Sequence, residues 1–114
     1  MRPAFWRAAM VSALIVMTIG GFAFAAGQYD PGATDTSIKI GNIMPYSGPA
    51  SAYGVIGRVE AAYFHKVNDD GGINGRKIDF ISYDDSYSPP KAVEQARKLV
   101  EDDRVLLIFN SLGT

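Results

Sequence analysis

The stretch V-L-L-I-F-N-S-L-G-T, residues 105–114, decides how the chain is read. Its first five residues are apolar and do not alternate with polar ones. A strand of that kind is expected to be buried on both faces, as a central parallel strand covered by helices. Its last five residues are small, polar or glycine, so the strand opens into a polar loop. Working backwards, Ser88 is placed to cap a helix with Pro89 at its first position, where the missing N–H costs nothing. Ala92, Val93, Ala96, Leu99 and Val100 form the apolar face of that helix. K-I-D-F-I-S-Y, residues 77–83, reads as a strand, and Asn74-Gly75 before it as a tight turn. Over residues 52–68 a second helix is expected. Ile56, Val59, Tyr63 and Val67 recur at three- and four-residue steps, widened by Val55 and Ala62. Ser51 is its expected cap, and Gly71-Gly72 its stop. S-I-K-I-G-N-I-M, residues 37–44, supplies the first strand. The order β-α-β-α-β predicts an α/β fold: a doubly wound parallel sheet with right-handed crossovers.

The start of the chain has a different character. Arg2 and Arg7 precede an apolar run over residues 8–19, and Ala23-Phe24-Ala25 follows two glycines. A basic start, an apolar centre and a small-x-small end read as a secretory signal peptide, residues 1–25. An uncleaved membrane anchor is the other reading, but the run is shorter than the roughly 20 residues a spanning helix needs. Residues 26–36 are polar and turn-rich and are expected to form a flexible leader, leaving residues 37–114 as a partial lobe. Without residues 1–25, 9 basic side chains face 12 acidic ones. That balance gives no sign of a nucleic-acid partner. The chain holds no cysteine, and an exported chain this short normally needs disulfides, a metal or a partner surface for stability. The sequence is therefore expected to be an N-terminal piece of something longer.

In an open α/β sheet, ligands bind outside the carboxyl ends of the strands. That rule selects the loops at residues 45–53, 84–88 and 110–114. The third offers the Ser111 and Thr114 hydroxyls and the backbone at Gly113, a set suited to a carboxylate, or an ordinary helix-capping turn. The first offers Ser47, Ser51 and Tyr53, and the Tyr53 ring either packs on an apolar ligand or rests at the helix start. Asp84-Asp85 is a candidate for cation or acid–base chemistry. No metal-loop spacing follows it, so solvated loop carboxylates are expected. His65, the one histidine, lies mid-helix with no partner for a triad or zinc site. Residues 71–76, G-G-I-N-G-R, follow a helix and are not a dinucleotide fingerprint. No phosphate-binding loop, nucleophile elbow or cysteine nucleophile is present.

Four blocks carry a resemblance: I-K-I-G-N-I-M-P-Y-S-G-P-A-S-A-Y-G (38–54), N-D-D-G-G-I-N-G-R-K-I (68–78), Y-D-D-S-Y-S-P-P-K-A (83–92) and I-F-N-S-L-G-T (108–114). In this order and spacing they resemble the periplasmic branched-chain amino-acid (Leu/Ile/Val-type) binding proteins of ABC importers. The resemblance implies a type I periplasmic-binding-protein fold, two α/β lobes closing on a ligand by hinge motion. This chain would hold only the first β-α-β-α-β part of the N-terminal lobe. It implies a periplasmic location, no cofactor, no metal and no catalysis, with a small carboxylate ligand and an ABC permease as partners. It also implies ligand-binding roles for Tyr53, Ser111, Thr114, Gly113 and Ser47. Ser111-Leu112-Gly113 departs from the serine-rich loop of leucine binders, which loosens strict leucine specificity. Some relatives bridge the second and third loops with a disulfide. Here Tyr87 and Leu112 stand in those loops, where an apolar contact would replace it. The competing expectations are the ligand-sensing domain of a membrane receptor, or a flavodoxin-like enzyme using Asp84 and Asp85.

Overall fold

A computed structural model describes residues 27–113. The signal peptide expected over residues 1–25 and the candidate ligand residue Thr114 lie outside the described residues. Strand β1 (Ser37–Met44) is followed by a 3-10 turn (Ser51–Tyr53) and helix α1 (Gly54–Asp69). Strand β2 (Lys77–Asp84), helix α2 (Pro89–Arg97), a π-helical turn (Lys98–Asp102) and strand β3 (Leu107–Ile108) complete the order. The three strands form one parallel sheet in the order β2-β1-β3. β1 pairs along its length with β2, from Ser37 beside Lys77 to Met44 beside Asp84.

The first crossover moves outward from β1 and the second returns past it, so right-handed connections place α1 and α2 on opposite faces. The alternation of β1 agrees. A Cβ on Gly41 would meet Leu99 at 3.0 Å and Val105 at 3.2 Å, on the α2 side. Met44 lies under Gly57, on the α1 side. Met44 and Leu99 are fully buried, joined in the core by Ile43 and Ile78. Asn74 (φ 49°) and Gly75 (φ 79°) form the expected tight turn before β2. Residues ahead of β1 are tied to the sheet: Gly32 O accepts from Lys39 N, and Arg76 donates to Thr34 O and to the Tyr29 hydroxyl.

Several sequence expectations are corrected. Within the described sheet β3 lies at the edge beside β1, and Leu106, Leu107, Ile108 and Phe109 are all exposed there. β1 takes the centre because both crossovers flank it, and no described strand pairs with the far edge of β3. The buried face of α1 is rotated from the expected stripe. Gly54 and Gly57 are buried, whereas Val59 and Tyr63 are exposed. The glycines let the helix approach Tyr46 and Met44, leaving no room for a side chain there. On the second helix, Val93 and Val100 are exposed and Leu99 alone is buried. The π-helical turn, closed by the Asp103 N to Lys98 O bond, surrounds it. Ser51 lies inside the 3-10 turn and does not cap α1; Ser88 is the α2 cap position, but its hydroxyl makes no cap bond.

Candidate functional site

The three loops expected to carry function leave the same end of the parallel sheet, and hydrogen bonds join them. Asp84, the last residue of β2, lies beside Met44, the last of β1. That register puts its carboxylate within reach of the first loop. Its Oδ1 accepts from the backbone N–H groups of Tyr46 (2.9 Å), Ser47 (3.1 Å) and Ser86 (2.9 Å). Its Oδ2 accepts from the Ser47 hydroxyl at 2.5 Å, and Ser47 Oγ lies 2.8 Å from Ser86 Oγ. The Ser47 hydroxyl bond is the main reason the Asp84 carboxyl falls from an ordinary value of 3.8 to about 2. The backbone N–H bonds add to the effect, and partial burial opposes it.

Asp84 and Asp85 are therefore not the solvated loop carboxylates expected. Asp85 is 3% exposed and accepts from Tyr87 N, while its own N–H donates to Met44 O. The pair braces two loops against one sheet edge. Among the described residues, no three His, Cys, Asp or Glu side chains gather as a metal site.

The third loop is held by β1. Phe109 N donates to Gly41 O, and Leu112 N to Ile43 O. Between them the Ser111 hydroxyl oxygen accepts from Ile43 N at 2.9 Å. A side-chain oxygen thus replaces a ladder carbonyl, which leaves the Ser111 proton available to donate. Asn110 turns the chain with a left-handed φ of 46°.

Between the loops lies an open cleft of about 340 Å³, lined by Pro49, Ala50, Tyr53, Tyr87, Leu112 and Gly113. Of the expected ligand residues, the structure brings Tyr53 and Gly113 together here. Tyr53 is 57% exposed, with its ring available to a ligand. Tyr87 and Leu112 line the same cleft. Ser111 lines a neighbouring hollow of about 350 Å³ on the α2 side, with Ile43, Asp85, Pro89 and Val93. Ser47 is not among the lining residues of either and holds Asp84 instead.

Sequence reasoning missed a buried polar cluster under the third loop. Asn42 is fully buried in β1. Its Oδ1 accepts from Ser82 Oγ at 2.6 Å, and Ser82 is bonded in turn to the Tyr46 hydroxyl. Its Nδ2 donates toward Glu60 and the carbonyls of Phe109 and Asn110. An amide inside I-G-N-I-M was the available signal, because a buried amide requires partners.

Residues 37–114 match the periplasmic binding protein family. A leucine-, isoleucine-, valine-, threonine- and alanine-binding protein of Pseudomonas aeruginosa is 39% identical over 87 residues, 75% of this chain and 22% of the relative. A fatty acid ABC transporter substrate-binding protein from Thermomonospora curvata superposes with a TM-score of 0.61 at 32% identity, covering 71% of this chain and 21% of that one. The branched-chain amino acid transporter substrate binding protein of Streptococcus pneumoniae, solved with isoleucine, gives a TM-score of 0.59 at 28% identity, covering 64% and 21%. The chain thus spans about a fifth of the length of these relatives. It belongs to the periplasmic binding protein family.

Proposed function

We propose that this chain is the opening part of the N-terminal lobe of an extracytoplasmic solute-binding protein that serves an ABC importer. Its ligand is a branched-chain amino acid or a related small carboxylate, passed to the permease after capture. The observation that carries this reading is the convergence of three strand-end loops on one cleft, with the Tyr53 ring and the Gly113 backbone on its walls. The names of its relatives supply the ligand class. An exposed aromatic ring covers the apolar part of such a ligand, while hydroxyls and N–H groups of residues 111–114 hold its carboxylate. Ser47 acts from behind, by fixing Asp84 and so the spacing of the first two loops. The ligand's remaining contacts come from a second lobe that closes on it.

The protein binds and does not catalyse. Both Asp84 oxygens are already engaged by loop donors, and Asp85 is buried, which disfavours the enzyme reading. Among the described residues no helix is long and apolar enough to cross a membrane. Residues 1–25 direct export and are then removed. The test is a thermal-shift and calorimetric screen of a two-lobed protein carrying this chain, with L-leucine, L-isoleucine, L-valine and benzoate as probes. Saturable binding of at least one supports the reading. Binding of none, together with measurable turnover of a phosphoester or peptide, would replace it with an enzyme.

A further inference from the structure

We infer that Glu60 is a positioning residue for the ligand-facing loop, acting on it from beneath through Asn42 and Asn110. The ligand-facing character of residues 110–113 rests on the function proposed above; the positioning itself does not.

Glu60 sits on α1, half-buried on the side facing the sheet. None of the ion pairs among the described residues includes it. Its carboxylate is spent on two amides instead. Oε2 accepts from Asn42 Nδ2 at 3.2 Å, and Oε1 accepts from Asn110 Nδ2. The Asn42 amide also donates to Phe109 O at 2.9 Å and Asn110 O at 3.2 Å. These bonds gather where β3 stops pairing and the chain turns. Asn110 occupies a left-handed conformation there, which asparagine tolerates at a cost that other contacts must offset. Immediately afterwards Ser111 Oγ and Leu112 N take up the two polar groups of Ile43. The exit of the loop is thus fixed on one side by β1 and on the other by a charged acceptor on α1. Bonds to an ionised acceptor are shorter and stronger than neutral ones. Losing that acceptor leaves the buried Asn42 amide with the Phe109 and Asn110 carbonyls alone, and removes the acceptor that holds the Asn110 side chain at the turn.

Tyr53 begins the path into α1, so the helix that presents the ring also carries the residue that holds the opposite loop. One rigid element then sets both sides of the cleft.

The test is amide hydrogen exchange, without ligand, on a two-lobed protein carrying this chain. In Glu60→Leu, the Leu112 amide should exchange at least about tenfold faster, while the Lys77 amide, bonded to Thr36 O where β1 and β2 begin to pair, and the Lys39 amide, bonded to Gly32 O, keep their protection. Glu60→Gln retains one acceptor oxygen and should give an intermediate acceleration, which also covers a failure of Glu60→Leu to fold. Asn110→Gly tolerates the left-handed turn without the side chain. Glu60→Leu should add less at Leu112 in that background than in the native chain, the remainder passing through Asn42. Unchanged exchange at Leu112 overturns the inference, as does equal acceleration at Lys39 and Lys77, which marks general destabilisation. Neither outcome depends on ligand, so a failure here is separate from a failure of the proposed function.

Discussion

Replacing Asp84 by asparagine tests whether the loop brace is electrostatic. The native carboxyl is lowered from 3.8 to about 2, chiefly by the Ser47 hydroxyl. At face value that shift is worth about 2.5 kcal/mol. The carboxylate is only half-buried, so solvent screening reduces the expected contribution to about 1–1.5 kcal/mol. The sign follows from linkage. A depressed carboxyl stabilises the fold fully above its unfolded value of 3.8, and this is lost as pH falls toward 2. Asp84→Asn should therefore lower stability at pH 7 by about that amount. For a domain of this size the melting midpoint should fall by roughly 4–10 °C. The difference between native and variant should shrink as pH drops from 4 to 2. Urea unfolding followed by circular dichroism at pH 7, 4, 3 and 2 reads both quantities, and taking the difference cancels the other carboxylates. Equal stability at pH 7 would refute the reasoning, as would a difference that stays constant down to pH 2.

Other outcomes are expected. Leu99→Ala should cost about 2–5 kcal/mol in chemical unfolding, because Leu99 is fully buried against Gly41. Gly75→Ala should cost about 1–2 kcal/mol by the same assay; no atom lies within 4 Å of the added Cβ, so the penalty is that of the backbone alone. Tyr53→Ala should leave the unfolding midpoint within about 0.5 kcal/mol of native, since the ring is 57% exposed.

The strands and the turn at Asn74-Gly75 were legible because they depend on local pattern: apolar alternation, and two residues that accept positive φ. The face of α1 was not, because hydrophobic periodicity cannot see glycine. Gly57 is buried because its missing side chain admits Tyr46, not because it is apolar. β3 reads as doubly buried from composition, but burial depends on what packs against it, and no described strand pairs with its outer edge. A rule about strand ends selected three loops that leave one end of the sheet, and Tyr53 and Gly113 line a cleft between them. The cluster of Asn42, Glu60 and Ser82 escaped because its bonds join residues 18, 40 and 68 positions apart. Ser47 was read by type as a ligand group; only the register of Met44 beside Asp84 shows what its hydroxyl holds.

The most direct test of the central claim is calorimetric titration of a two-lobed protein carrying this chain. The probe is whichever small carboxylate binds in the screen. Native protein, Tyr53→Ala and Thr114→Ala are compared. The account predicts saturable binding that each substitution weakens by about tenfold or more, close to 1.4 kcal/mol. Native affinity in both variants would contradict it, because the ligand would then lie away from the cleft between these loops.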